Sequence, residues 1–403
     1  MEIAVNRSFS FTHRGRMELL KTAEDHSFST QDAAMILQCL KNEIGFTPFS
    51  DYLRRYVYLK SGMIGSYREI APELYQSTIV DAFRETGTPC SLEEIKTPMQ
   101  TRVKSWLNQS SAGRTVILLM GFGLSMTRED VNTFLMGALH DHRLDPEDPL
   151  EAICGYCYDH GYRYAKMKQL WQIFRQESSI LDRSLFLSLQ PAGRPTSLQV
   201  AEEDFQLLRS LSDRKYPVSK TSMQKATDSA FEHLYRQVSV LFAGRARLHP
   251  AQAGQSSPVI GGGMISPGEL ESILCASIPR DKHGNLVSEL HSSLKKELAG
   301  KRFSRQHLYE LLNGKTPPSR YDLITLCFLV RSVRDELFPN AKARYQIFVR
   351  ETNETLQQCG FGPLYTADPY ECFILMCLLS VDPLGTYSDV LELSYQGTGG
   401  SVS

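Results

Sequence analysis

Leu311-Leu312-Asn313, then Arg320, then Leu323-Ile324-x-Leu326, then Asn353-x-x-Leu356, then Asp368-Pro369-x-Glu371 is an order of residues that this chain uses twice. The earlier version reads Trp106-Leu107-Asn108, Arg114, the apolar run Val116 to Leu119, Asn132-x-x-Leu135, and Asp148-Pro149-x-Glu151. Single pairs recur by chance, but an ordered set of this length is hard to produce by composition, so the reading is a duplicated module. The match has gaps: Glu129, three residues before the first Asn, has Arg350 as its counterpart. The spacing from Arg320 to Asn353 is also longer than from Arg114 to Asn132, and the extra residues fall at Arg331 to Arg344, where Arg334, Asp335, Glu336, Pro339 and Asn340 read as a solvated loop or short helix at the surface.

Both versions are helical in pattern. After Met126, the residues Val131, Phe134, Leu135, Ala138 and Leu139 follow the stripe of a core-facing helix, with Thr127 as the N-cap before Arg128, Glu129 and Asp130. Outward from there, Ala34, Ile36, Leu37 and Leu40 share one helical face. Phe49, Tyr52, Leu53, Tyr56 and Leu59 share another after Pro48, and so do Met167, Leu170, Trp171 and Phe174. Strict alternation is rare, so the fold class is all-α: two related multi-helical modules, the second containing a helix-turn-helix-like unit. The implied division is an N-terminal helical segment over 1–66, copy one over 67–177 and a helical connector over 178–243. A linker over 244–266, rich in Gly, Pro, Ser and Gln, then leads to copy two over 267–395 and a frayed tail over 396–403. The length, 403 residues, suits about two or three domains.

With 44 basic and 45 acidic side chains, no global field draws the chain to nucleic acid or a membrane surface; any such role must be local. Nine cysteines, an odd number with several inside apolar helical patterns, favour a reducing compartment. No apolar run approaches the roughly 20 residues that span a bilayer, and the basic N-terminus lacks a secretory core behind it. A cytoplasmic protein without a membrane partner is the expectation.

A local patch does exist. Phe303-Ser304-Arg305-Gln306-His307-Leu308-Tyr309-Glu310-Leu311-Leu312-Asn313-Gly314-Lys315-Thr316-Pro317-Pro318-Ser319-Arg320 has Ser304 as N-cap, a stripe of Leu308, Leu311 and Leu312, and Gly314 as a left-handed stop. Ser319 then caps the next helix. The first turn offers Arg305, Gln306 and His307, and Arg and Gln suit guanine and adenine edges. Lys295, Lys296, Lys301, Arg302, Arg305, Lys315 and Arg320 against Glu297 and Glu310 leave a net of five positive charges for phosphate neutralisation. The competing reading is an ordinary solvated helix pair.

This stretch resembles the third and fourth helices of phage-repressor-like helix-turn-helix regulators, the xenobiotic-response-element type. Thr352-Asn353-x-x-Leu356, Cys359-Gly360-Phe361-Gly362-Pro363-Leu364-Tyr365 and Asp368-Pro369-x-Glu371 are similar to the extension that follows the motif in many bacterial relatives. The resemblance covers Leu286 to Leu379. It implies that the helix starting at Ser304 reads the major groove, with Lys301, Arg302, Ser304, Arg305, Gln306, His307, Lys315 and Arg320 at the DNA. The usual scaffold helix departs from the pattern, since Leu290 to Leu298 runs straight into Ala299-Gly300-Lys301-Arg302. The scaffold is then Val287 to Leu298 with a partner at Glu269 to Ser277, or the motif is degenerate. Copy one, over Arg102 to Asn108, keeps Val103, Trp106 and Leu107 but lacks the basic flank.

Cys154-Gly155-Tyr156-Cys157, with His140, His142 and His160 nearby, offers zinc-ligand types. The two thiols fall on the apolar face with Leu150 and Ile153, so core packing is expected, and no metal or cofactor. Gly121-Phe122-Gly123 is a lone glycine pair at a helix end, and Glu93-Glu94 and Glu202-Glu203 read as helix-start acids. No nucleophile motif stands with its partners, and no enzymatic reaction is expected. The functional expectation is a transcriptional regulator that contacts double-stranded DNA, pairing with itself or another protein. The alternative is a helical protein-interaction scaffold whose modules have lost the reading face.

Overall fold

Apolar residues at helical spacing, helix caps and the near absence of alternating strands resolve into helices throughout the computed structural model. It describes residues 33–42, 48–92, 97–176, 198–212, 220–248, 264–274, 304–333, 341–366 and 368–396. Among them there are 16 helices and no strand, only an isolated bridge. The chain divides into two compact units: a first of residues 47–225 with 360–362, and a second of 1–46, 226–359 and 363–403.

α1 (Ala33–Asn42) belongs to the second unit, and the next eight helices belong to the first. They are α2 (Phe49–Ser61), α3 (Pro72–Thr86), α4 (Met99–Trp106), α5 (Arg114–Gly123), α6 (Arg128–Gly137), α7 (Pro149–Asp159), α8 (Tyr164–Gln176) and α9 (Leu198–Ser212). The segment expected over 1–66 is therefore split between the units. The second unit holds α1 and the body of α10 (Ser222–Leu248), with α11 (Pro267–Leu274), α12 (Arg305–Leu312) and α13 (Arg320–Val333). It is completed by α14 (Ala341–Gln358), α15 (Pro369–Leu379) and α16 (Pro383–Gln396).

Within the first unit, α3 packs on α4, α5 on α6, α7 and α8, α6 on α7, and α7 on α8. Within the second, α11 packs on α12, α13 on α14, α15 and α16, α14 on α15, and α15 on α16. Most of these pairings correspond between the units, but α3 also packs on α5, whereas its counterpart α11 also packs on α16. What is added differs. In the first unit α2 lies on α3 and α9 on α8, whereas in the second α1 lies on both α15 and α16.

That addition accounts for a sequence difference. α7 is incompletely enclosed, burying Ile153, Cys154, Cys157 and Tyr158 while Leu150, Ala152 and Tyr156 are half-buried and Asp159, at its end, is exposed. α15, enclosed by α1, α13, α14 and α16, buries all of its residues from Pro369 to Leu379 and is apolar on every side apart from Glu371.

Several local expectations are met. Thr127 and Asp130 form a reciprocal capping box on α6, Ser304 caps α12, and Gly314 takes a positive φ of 65°. Others are corrected. Ala34 and Leu59 are exposed, their helices burying Ala33 and Val57 instead. The stretch read as linker begins inside α10, which continues to Leu248. The ends of the Arg331 to Arg344 insertion belong to the C-terminal part of α13 and the start of α14. Arg331 is buried against Glu351, and Arg344 is buried with Nε on the Leu378 carbonyl at 2.8 Å and Nη2 on that of Ser380. Residues 334–340 lie outside the described residues, as do the tail beyond Gln396 and Glu93-Glu94.

Candidate functional site

The repeated residues are the joints of one hydrogen-bond circuit, present in each unit. In the first, Arg114 at the start of α5 grips Glu151 of α7 through Nε and Nη2, the latter at 2.7 Å, and donates from Nη2 to the Arg143 carbonyl at 2.9 Å. Glu151 Oε2 also accepts from the Asp145 N–H at 2.8 Å, Asn132 Oδ1 accepts from the Leu144 N–H at 2.8 Å, and Asp148 caps α7. In the second, Arg320 Nε reaches Glu371 Oε1 at 2.6 Å, Nη2 reaches Oε2 at 3.0 Å, and Nη2 donates to the Pro363 carbonyl at 2.8 Å. Glu371 accepts from the Tyr365 N–H at 2.6 Å, Asn353 from the Leu364 N–H at 2.7 Å, and Asp368 caps α15. Bidentate Arg–carboxylate geometry fixes orientation as well as charge, so each circuit pins the connection before its Asp-Pro helix to two other helices.

This placement corrects one site residue. Arg320 is a buried strut whose side chain is 1% exposed, already neutralised by Glu371, and it has no face for a phosphate. The other candidates lie on α12 and its flanks. Ser304 accepts from the His307 N–H at 3.1 Å, and the Arg305 N–H donates to Glu271 of α11 at 2.8 Å, so two of the first-turn donors have acceptors. Leu308 and Leu311 are buried on the inner side. His307 Nε2 meets Asp322 Oδ1 at 2.8 Å, while Asp322 Oδ2 accepts from the Ser319 N–H and Oγ–H at 2.7 Å each, which ties α12 to the start of α13. The hydrogen bond to Asp322 raises the His307 imidazole above its ordinary value, against the opposing effect of burial.

Arg305, Gln306 and Lys315 are exposed, and so are Tyr309, Leu312 and Asn313. Lys301 and Arg302 lie outside the described residues. Gln306 donates its amide to Glu310 at 2.6 Å. Leu312, read as part of the buried stripe, is 44% exposed and Tyr309 is 54% exposed; neither was taken as a site residue. Leu312 follows Leu311 directly, so a helical turn of about 100° per residue carries it off the buried face.

The matching helix α4 buries Val103, Trp106 and Leu107 and exposes Gln100, Thr101, Lys104, Ser105 and Asn108. Both helices end alike, with Asn108 Nδ2 on the Lys104 carbonyl at 2.8 Å and Asn313 Nδ2 on the Tyr309 carbonyl at 2.6 Å. They differ just beyond. The N–H groups of Phe49 and Ser50 at the start of α2 donate to the carbonyls of Ser110 and Gln109, and Arg54 donates to that of Leu107 at 2.6 Å, closing the turn after α4. After α12, Gly314 and Lys315 stand open to solvent.

Cys154 and Cys157 face the core of α7, where burial pushes both thiols up, that of Cys157 to about 12. Among the described residues no three His, Cys, Asp or Glu side chains converge as a metal-binding group. Gly121 and Gly123 sit where a Cβ would strike the rings of Tyr158 and Phe83, so close packing requires them. No helix among the described residues is long and apolar enough to cross a membrane. Comparison of the chain with protein families, with curated proteins and with solved structures finds no match.

Proposed function

We propose that the chain is a DNA-binding regulator in which α12 reads the major groove and the first unit, a diverged copy of the same module, serves pairing or sensing. The observation that carries this reading is the open face of α12. Arg305 and Gln306 are exposed on its first turn, Lys315 is exposed just past its end, and the opposite side is held by α11 and by the His307–Asp322 bond. A short helix braced from behind and polar in front suits insertion between base edges and phosphates.

Capture of genomic fragments by the full chain, followed by sequencing and mobility-shift titration, tests it. Arg305→Ala and Gln306→Ala each cost about 1–3 kcal/mol at particular base pairs, whereas Lys315→Ala weakens all sequences and lowers the salt slope by about one. No retained fragment at low salt sinks the proposal. The exposed Tyr309 and Leu312 favour a second reading, a helical protein-interaction scaffold. A Tyr309→Ala variant that changes oligomeric state, in a chain that retains no DNA, selects it.

A further inference from the structure

The exposed positions of α12 and its C-cap, Arg305, Gln306, Tyr309, Leu312 and Asn313, follow the spacing of one helical face. Arg305 and Gln306 supply hydrogen-bonding groups, and Tyr309 and Leu312 supply apolar surface three residues apart. Two of the polar groups are partly committed. Gln306 gives an amide N–H to Glu310, and the acceptor-only carboxylate identifies the bonded atom as nitrogen, so the carbonyl oxygen is not the atom used in that bond. Asn313 gives an amide N–H back to Tyr309.

Among the edges of the four base pairs, the major groove offers one apolar group, the thymine 5-methyl. Resting on the DNA-reading function above, we infer that α12 recognises a thymine-containing site, with Tyr309 and Leu312 packed on thymine methyls and the Gln306 carbonyl accepting from a neighbouring base amino group. Charge selects DNA over a protein groove as the occupant. Arg305 and Lys315 are exposed, and the one carboxylate of α12, Glu310, is half-buried and bonded to Gln306. α4 has no such surface, because Lys104 stands in register with Tyr309, and Leu107, in register with Leu312, is buried.

The test uses the full chain and a random-sequence duplex pool. Retained duplexes are resynthesised with deoxyuridine for thymine at one position at a time, which deletes a methyl and leaves every base-pair hydrogen bond. At contacted positions the swap weakens binding about fourfold, the worth of one buried methyl-sized group. Tyr309→Ala or Leu312→Ala weakens the thymine duplex and erases the thymine–uracil difference at its own position. Enriched duplexes that bind equally well with uracil throughout overturn the inference and leave the DNA reading standing, as does a difference that persists in both variants. A pool from which nothing is enriched overturns the DNA reading itself. A Tyr309→Ala chain with altered oligomeric state and unaltered DNA binding assigns the face to a second copy and also overturns the inference. The uracil comparison on the unmodified chain needs no variant to fold.

Discussion

The Arg114 circuit and the Arg320 circuit make matching bonds in different surroundings. Arg114 and Glu151 are 24% and 10% exposed, and Arg114 has Asp141 as a further partner at 3.1 Å. Arg320 and Glu371 are 1% and 0% exposed. The bonds to the connection before the Asp-Pro helix are nevertheless kept, so the geometry of the circuit comes from the helices that carry it and not from solvent exclusion. Burial changes what the pair is worth. Desolvation offsets most of the attraction when both partners are present, yet a lone buried charge is costly, so the two pairs should respond differently when one half is removed.

The largest difference is expected on deleting the carboxylates. Glu371→Ala leaves Arg320 buried without its counter-ion and should cost about 3–5 kcal/mol, while Glu151→Ala leaves Arg114 with Asp141 and water and should cost about 1–2 kcal/mol. Urea unfolding of the two variants measures this, and equal losses would break the comparison.

Next come the asparagines. Asn132→Ala and Asn353→Ala each orphan one connection N–H, for about 1–2 kcal/mol apiece. Because both side chains are half-buried, the two losses should agree; hydrogen exchange at the Leu144 and Leu364 amides localises each.

The smallest effects are in pH dependence, and they separate the units by sign. Burial opposes ionisation of Asp141, but the hydrogen bond from His142 and the Arg114 guanidinium prevail and hold its carboxyl at about 2, below the ordinary 3.8. Its contribution is present above 3.8 and lost as pH falls through about 2. Phe361 occupies the matching place in the sequence around the second circuit, so Asp141 has no counterpart there, and Asp141→Asn removes the acid limb. His307 titrates above its ordinary 6.5, so its bond to Asp322 contributes fully below 6.5 and fades as pH rises through the folded-state value. His307→Gln should flatten that alkaline decline in a series of thermal melts, and an unchanged decline would show that His307 is not its source.

Helix periodicity made most elements legible, because the pattern that buries Val131, Phe134 and Leu135 is local to one helix. Caps were legible for the same reason, as Thr127 and Ser304 show. Arg320 was misread as a phosphate contact because its neighbours in the chain are basic and its true partner lies 51 residues on. The signal was there in the repeat itself, where an Arg and a Glu recur together in the same order. The burial of Arg331 and Arg344 was beyond local pattern for the same reason, since their acceptors come from other helices. Tyr309 and Leu312 were hidden by a different cause: apolar type predicts burial, and which side of α12 is covered depends on α11, a neighbour that the local pattern does not specify.

The packing of α1 on α15 and α16 also bears on how the chain emerges from the ribosome. The first unit, apart from 360–362, is made before the body of the second, whereas Ala33–Asn42, synthesised earlier still, cannot bury Ile36, Leu37 and Leu40 on these partners until 369–396 has been made. The apolar side chains of Ala33–Asn42 therefore wait for these partners through most of translation.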